Sequence, residues 1–124
     1  MKKLNISFRI KSEDSSQDFK TKGELKNNRM KFIDPDKNTN YIIFKSDIIE
    51  YYKKGEADMK FIFDLHDLTK GIYVVMGNKL LFDIHTKKIE KSDGLLEIKY
   101  DLFQQGELVN KTTLRIKYEV IEEE

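Results

Sequence analysis

In the second half of the chain, apolar residues recur at every other position: Leu96, Ile98, Tyr100 and Leu102, then Leu114, Ile116, Tyr118 and Val120. Successive side chains of a strand point to opposite faces. This period therefore predicts strands with one buried face, and it is not the three-and-four spacing of an amphipathic helix. The chain opens in the same way, with Leu4, Ile6, Phe8 and Ile10 alternating with Asn5, Ser7, Arg9 and Lys11. The start Met1-Lys2-Lys3 thus leads into a strand and not into the apolar core of a signal peptide. No window is long and apolar enough for a membrane-spanning helix, so a cytoplasmic protein is the expectation.

Between the alternating runs lie short turn clusters, and the reading is about ten strands in sequence. Glu13-Asp14-Ser15-Ser16 turns the first strand into the second, and Asn27-Asn28 suits a two-residue turn with positive φ. That turn sets Leu25 across from Met30 and Gly23 across from Phe32, where the missing side chain leaves room for the ring or lets the strand bend. Asp34-Pro35-Asp36-Lys37-Asn38 reads as a loop. A Gly77-Asn78 turn would pair Tyr73 with Phe82, placing Tyr73, Val75, Leu80, Phe82 and Ile84 inside. The alternation slips by one between Thr86 and Ile89, which predicts a β-bulge. A three-residue Gln104-Gln105-Gly106 loop would set Leu102 against Leu108, Tyr100 against Asn110 and Ile98 against Thr112. Many short antiparallel strands with tight turns and no crossover helices give an all-β fold. The expectation is an up-and-down meander of about 8–10 strands closed into one barrel domain over residues 1–124, since closure removes exposed edges.

The 124-residue chain can bury one core without staples. It has no cysteine, which excludes a disulfide framework, a thiol nucleophile and Cys-ligated metal. Its 23 basic and 22 acidic residues are interspersed, leaving no electrostatic case for nucleic acid or an anionic membrane surface.

Gly55, Met59-Lys60, Phe63, Tyr73, the glycine turn at Gly77, Thr86, Ile89 and the run Gly94-Leu95-Leu96-Glu97-Ile98-Lys99-Tyr100 resemble the uncharacterised bacterial YwiB-like family. The resemblance spans roughly the C-terminal two thirds. It implies a lipocalin-like, calycin-type barrel, and the family carries no established activity or ligand. The family has an Arg two residues before the first glycine where this chain has Lys53, and its turn glycine sits one place later than Gly77. An ammonium is a point charge and does not reproduce a planar guanidinium fork.

Candidate chemistry is sparse. Asp64 with His66, and Asp83 with His85, are two apart and could each offer a carboxylate and an imidazole to a divalent metal. The Gly77-Asn78 register sets His85 across from Lys70, whose charge opposes a cation, and His66 falls on a connection. Solvated histidines and no metal or other cofactor are therefore expected. Glu50 is flanked by Ile48, Ile49, Tyr51 and Tyr52, but a Lys54-Gly55-Glu56 turn sends Ile49 and Tyr51 inward and leaves Glu50 outside. No Gly-x-Ser-x-Gly elbow or glycine-rich phosphate loop occurs, so an enzyme is not the favoured class. Aromatic residues interleave with lysines as in single-strand nucleic-acid binders, yet most Phe residues alternate into the core.

The function read from the sequence is a non-catalytic barrel that binds a small apolar or amphipathic ligand, with Tyr73, Phe82, Tyr100, Asn110 and Thr112 lining its interior. Polar Asn110 and Thr112 among apolar neighbours suit a pocket that orients a ligand, or equally a filled barrel in which they bond to Tyr100 or water. The alternative is a packed barrel without ligand that self-associates. The outer face of the Gly77 hairpin carries Ile72, Val74, Met76 and Leu81, too many apolar side chains to leave in water. Either a second copy, making a homodimer, or the N-terminal strands folding over it would cover that face.

Overall fold

The computed structural model describes residues 1–123. Ten strands follow one another: β1 (Lys2–Ser12), β2 (Ser16–Lys26), β3 (Arg29–Ile33), β4 (Thr39–Phe44), β5 (Ile48–Lys54), β6 (Ala57–Asp64), β7 (Thr69–Val75), β8 (Asn78–Ser92), β9 (Leu95–Gln104) and β10 (Glu107–Glu123). Each pairs antiparallel with its neighbours in sequence, and β1 also pairs with β10, closing the meander into a barrel without a free edge. Among the described residues no helix is long and apolar enough to cross a membrane.

The alternation seen in the sequence becomes the two faces of this wall. Leu4, Ile6, Ile98, Leu114 and Ile116 point inward and are almost completely buried. Removing such side chains from water is worth about 1.5–3 kcal/mol each, which stabilises the barrel in the absence of any cross-link. The Asn27-Asn28 turn forms the predicted register, with Gly23 across from Phe32 and Leu25 across from Met30. A Cβ on Gly23 would lie 2.5 Å from the Lys31 carbonyl oxygen and 2.6 Å from Ile6 Cδ1, so only glycine lets the wall bend this closely. The predicted bulge falls between Thr86 and Lys88.

Two hairpins differ from the sequence reading. The β7–β8 turn is Met76-Gly77, not Gly77-Asn78, and the β9–β10 turn is Gln105-Gly106, not a three-residue loop. Both central residues have positive φ in each case, at 51° and 78° for the first turn and 50° and 80° for the second. This is the pattern of a two-residue hairpin turn of type I′, with glycine in the second place. Tyr73 therefore faces Leu80, and Phe82 faces Gly71. In the last hairpin a register shift between Leu108 and Asn110 follows the turn, so Tyr100 faces Thr112, Ile98 faces Leu114 and Leu102 faces Asn110. Each of these partners moves by two residues. An even shift preserves the face of each of these side chains; Leu108 is the exception, since it was expected across from Leu102 but pairs with Phe103, one residue away, and is exposed.

The two ends of the barrel are unlike. Near the β2–β3, β4–β5 and β8–β9 turns, Met30, Ile42, Ile49, Phe63 and Leu96 are fully buried. Lys91 Nζ also donates to the Lys45 and Ser46 carbonyls of the β4–β5 turn at 3.0 and 2.9 Å. Towards the opposite end, inward Tyr73 and Phe82 are only half-buried and Leu80 is exposed. The sequence reading places Tyr73 and Phe82 in the core with Ile84, Leu96, Ile98 and Leu114; the latter four are fully buried, whereas Tyr73 and Phe82 pack against the core from its open side.

Candidate functional site

The open end holds a cavity of about 520 Å³. One cross-strand row, Lys53–Met59–Tyr73–Leu80, runs through β5 to β8, and all its side chains line the cavity. Phe61, Phe82 and Tyr100 lie below it. The Phe61 ring meets Phe82 and Tyr100 edge-on at 6.0 and 6.4 Å, and Tyr100 lies 4.7 Å from Phe63. Opposite, β10 contributes Asn110 and Thr112, with Leu102 from β9 and Ile10 from β1, and Ser12, Ser15, Ser16 and Gln17 of the β1–β2 hairpin edge the mouth.

All five residues predicted to line a site, Tyr73, Phe82, Tyr100, Asn110 and Thr112, come together in this cavity. The Thr112 hydroxyl donates to Asn110 Oδ1 at 2.6 Å, and Thr112 stands across from Tyr100. Burial pushes the Tyr100 pKa well above that of an ordinary phenol, so it stays protonated. Lys53 was missed, although the alternation Ile49, Tyr51, Lys53 carries the signal that it points inward.

Behind Lys53 lies a buried polar cluster that the sequence reading treats only as a loop. Asp34 Oδ1 accepts the backbone N–H groups of Asp36 and Asn38, each at 3.0 Å, and its Oδ2 accepts Asn40 Nδ2 at 3.0 Å. Asn38 Oδ1 accepts the Ala57 N–H at 3.2 Å, tying the β3–β4 loop to β6. Tyr51 donates its hydroxyl to Asn40 Oδ1 at 2.5 Å. Lys53 Nζ stands 3.7 Å from Asp34 Oδ2, close enough for charge attraction but beyond hydrogen-bond distance. Burial alone would raise the Asp34 pKa, but the Asn40 amide, the two backbone N–H groups and the Lys53 ammonium outweigh it and hold the carboxyl below its ordinary value. Tyr51 is raised well above a normal phenol, chiefly by burial.

Glu50 is on the outer face, as expected, though its side chain is largely covered. It pairs with Lys45 Nζ at 2.7 Å and accepts the Tyr52 hydroxyl at 2.7 Å, and these two contacts hold its pKa down. The Asp-x-His pairs do not meet. Asp64 accepts the backbone N–H of His66 at 2.9 Å, while Asp83, and not His85, stands across from Lys70 and forms an ion pair with it. His85 stands across from Asp101 on β9. Among the described residues no three His, Cys, Asp or Glu side chains are grouped to hold a metal.

On the outer wall, a larger open depression of about 780 Å³ runs along β7 to β9 and includes Ile72, Leu81 and Phe103. Leu81 and Met76 are 58% and 90% exposed, while Ile72 and Val74 are half-buried. The N-terminal strands do not fold over this face, because β1 and β2 are themselves wall, paired with β10 and β3. Elsewhere on the outside Arg9 stands across from Arg115, each beside a carboxylate: Asp18 at 2.7 Å and Glu97 at 3.7 Å.

A family model described as a domain of unknown function (DUF1934) matches residues 3–116. The match reaches well before Gly55, where the recognisable motif residues begin. Among solved structures, the ywiB protein from Bacillus subtilis shares the fold with a TM-score of 0.66 and 15% identity, covering 97% of this chain and 91% of that one. No curated protein matches the sequence.

Proposed function

This chain belongs to the DUF1934 family, a domain of unknown function, and we propose that its barrel is a non-catalytic binding module for a small apolar or amphipathic molecule. The observation that carries this reading is the cavity of about 520 Å³ at the open end. Ligand pockets usually enclose about 300–1,000 Å³ of mostly apolar wall with a few convergent polar groups, and this one has that character. A lipocalin-like, calycin-type interior fits the same use, since a barrel of eight or more strands can hold one ligand; fold likeness alone assigns no function. Catalysis finds little support in the same residues. Asp34 is held ionised by its hydrogen bonds and is a weak base, and the Thr112 hydroxyl is engaged with Asn110 and has no base beside it.

The test is saturable binding of a neutral, environment-sensitive fluorophore such as N-phenyl-1-naphthylamine. Wild-type protein is expected to bind one equivalent with blue-shifted emission, and Asn110→Phe or Thr112→Phe, which put a ring into the cavity, are expected to abolish binding while the fold is retained. Non-saturable binding, or binding equally strong in the filled variants, would remove this reading.

A second reading, self-association, is favoured by the exposed apolar side chains of Met76 and Leu81 beside the half-buried Ile72 and Val74. Isolated exposed apolar residues need no explanation, whereas a contiguous group on one outer face suits contact with a second copy. The two readings use opposite faces of the same hairpin and are compatible.

A further inference from the structure

Resting on the cavity reading above, we propose that the ligand is a singly charged organic anion with an apolar body, whose head group, of the carboxylate class, is held by Lys53. Among the described residues Lys53 is the only charged side chain in the lining. It is the last inward residue of β5, stands between Asn40 and Met59, and borders the cavity.

The position of Asp34 is what makes this ammonium available. Both carboxylate oxygens already accept N–H groups at 3.0 Å, and Asp34 is not part of the lining. At 3.7 Å from Lys53 Nζ it attracts the charge without engaging the N–H donors. A pair built to neutralise itself would close to direct contact. Here Lys53 belongs to the cavity lining and Asp34 does not.

The opposite wall complements it. In the ten-stranded ring, β10 lies halfway round from β5. There Asn110 Oδ1 is occupied by the Thr112 hydroxyl at 2.6 Å, while among the described residues the Asn110 amide nitrogen has no hydrogen-bond partner. Both walls thus carry a donor-bearing side chain in the lining. An anionic oxygen accepts from both, a neutral alcohol makes a weaker bond to the ammonium, and an alkylammonium meets a like charge in a partly desolvated site. One ammonium, with no second cation beside it, fits a single negative charge better than a dianionic phosphate. The rings of Phe61 and Phe82 form the apolar floor on which the body of the molecule would lie.

Three probes of equal chain length separate these cases: decanoate, decan-1-ol and decylammonium, each displacing N-phenyl-1-naphthylamine at neutral pH and low salt. Decanoate is expected to displace the fluorophore at a concentration about tenfold lower than decan-1-ol, as a charge-assisted hydrogen bond implies, with decylammonium weakest. Lys53→Met is expected to remove the preference for decanoate and keep the affinity for decan-1-ol, and Lys53→Arg to retain the preference. Should Lys53→Met fail to fold by circular dichroism, Lys53→Gln and the wild-type probe order supply the same decision. Equal displacement by decanoate and decan-1-ol, tighter displacement by decylammonium, or a preference unaltered in Lys53→Met would overturn the anion assignment and leave the apolar cavity standing. Failure of the fluorophore itself to bind would instead sink the cavity reading.

Discussion

Gly71 on β7 stands directly across from Phe82 on β8, and its missing side chain lets the Phe82 and Phe61 rings meet edge-on at 6.0 Å beneath the cavity. A Cβ at this position would lie 2.9 Å from Phe61 Cδ1 and Cε1 and 2.9 Å from Ile84 Cδ1. Ile84 is itself fully buried. The Phe61 ring, packed against Phe63 and Tyr100, has little room to move. Gly71→Ala is therefore expected to cost about 1–3 kcal/mol, the usual range for overpacking, and Gly71→Val more. Urea unfolding reads the cost directly, and an unchanged midpoint would mean that the ring gives way freely.

The same gradient of burial predicts an inversion of side-chain size. Ile98 is fully enclosed at the packed end, so Ile98→Ala should cost about 2–5 kcal/mol. Phe82 is larger but half-buried and borders the cavity. Phe82→Ala should be the milder change, because the atoms removed are already partly in contact with the open space. Denaturation of both variants under identical conditions decides the order.

Asp34 gives the barrel a component of acid sensitivity. Its folded pKa lies below that of an ordinary aspartate. The stabilisation it contributes is therefore fully present above the unfolded value and is lost as pH falls through the folded one. Asp34→Asn is expected to lower stability at neutral pH by about 1–3 kcal/mol through loss of the charged hydrogen bonds, and to flatten the decline of the melting temperature on the acid side. Melting curves of both proteins from neutral to strongly acidic pH make the comparison. Two profiles that stay parallel would show that Asp34 is not linked to folding.

The outer face of the β7–β8 hairpin is open to a direct test. Val74→Lys combined with Leu81→Lys is expected to convert a dimer into a folded monomer by light scattering, with little change in intrinsic stability, since Leu81 is 58% exposed in the isolated barrel. A wild-type protein that is monomeric at high concentration, with a double variant equally stable, would leave the patch merely exposed.

Several features of the fold were legible because they depend on local rules. The Asn27-Asn28 turn, the Gly23–Phe32 pairing and the bulge before Lys88 all follow from side-chain parity and turn chemistry within a few residues. The wrong turns at Gly77 and Gly106 have the same origin. A single glycine marks a turn without saying which central position it takes, and the β9–β10 register depends further on the shift between Leu108 and Asn110, which the sequence does not mark.

By itself the sequence determined which side chains of the candidate site face inward, because period two fixes parity and the register errors at Tyr73, Phe82, Tyr100 and Thr112 moved their partners by two residues; only Leu108, beside the unmarked shift, moved by one. It therefore placed Tyr73, Phe82, Tyr100, Asn110 and Thr112 on the inner wall. Only the tertiary structure decided that these residues border a cavity and not a filled core. That outcome depends on how volumes from five or more strands add up around the barrel, and no local pattern encodes the sum. The polar cluster behind Lys53 was decided in the same way. Asp34 and Asn38 read only as a loop in the sequence, and with Asn40 they become a buried support for Tyr51 and Lys53 only when β3 to β6 curve into one wall.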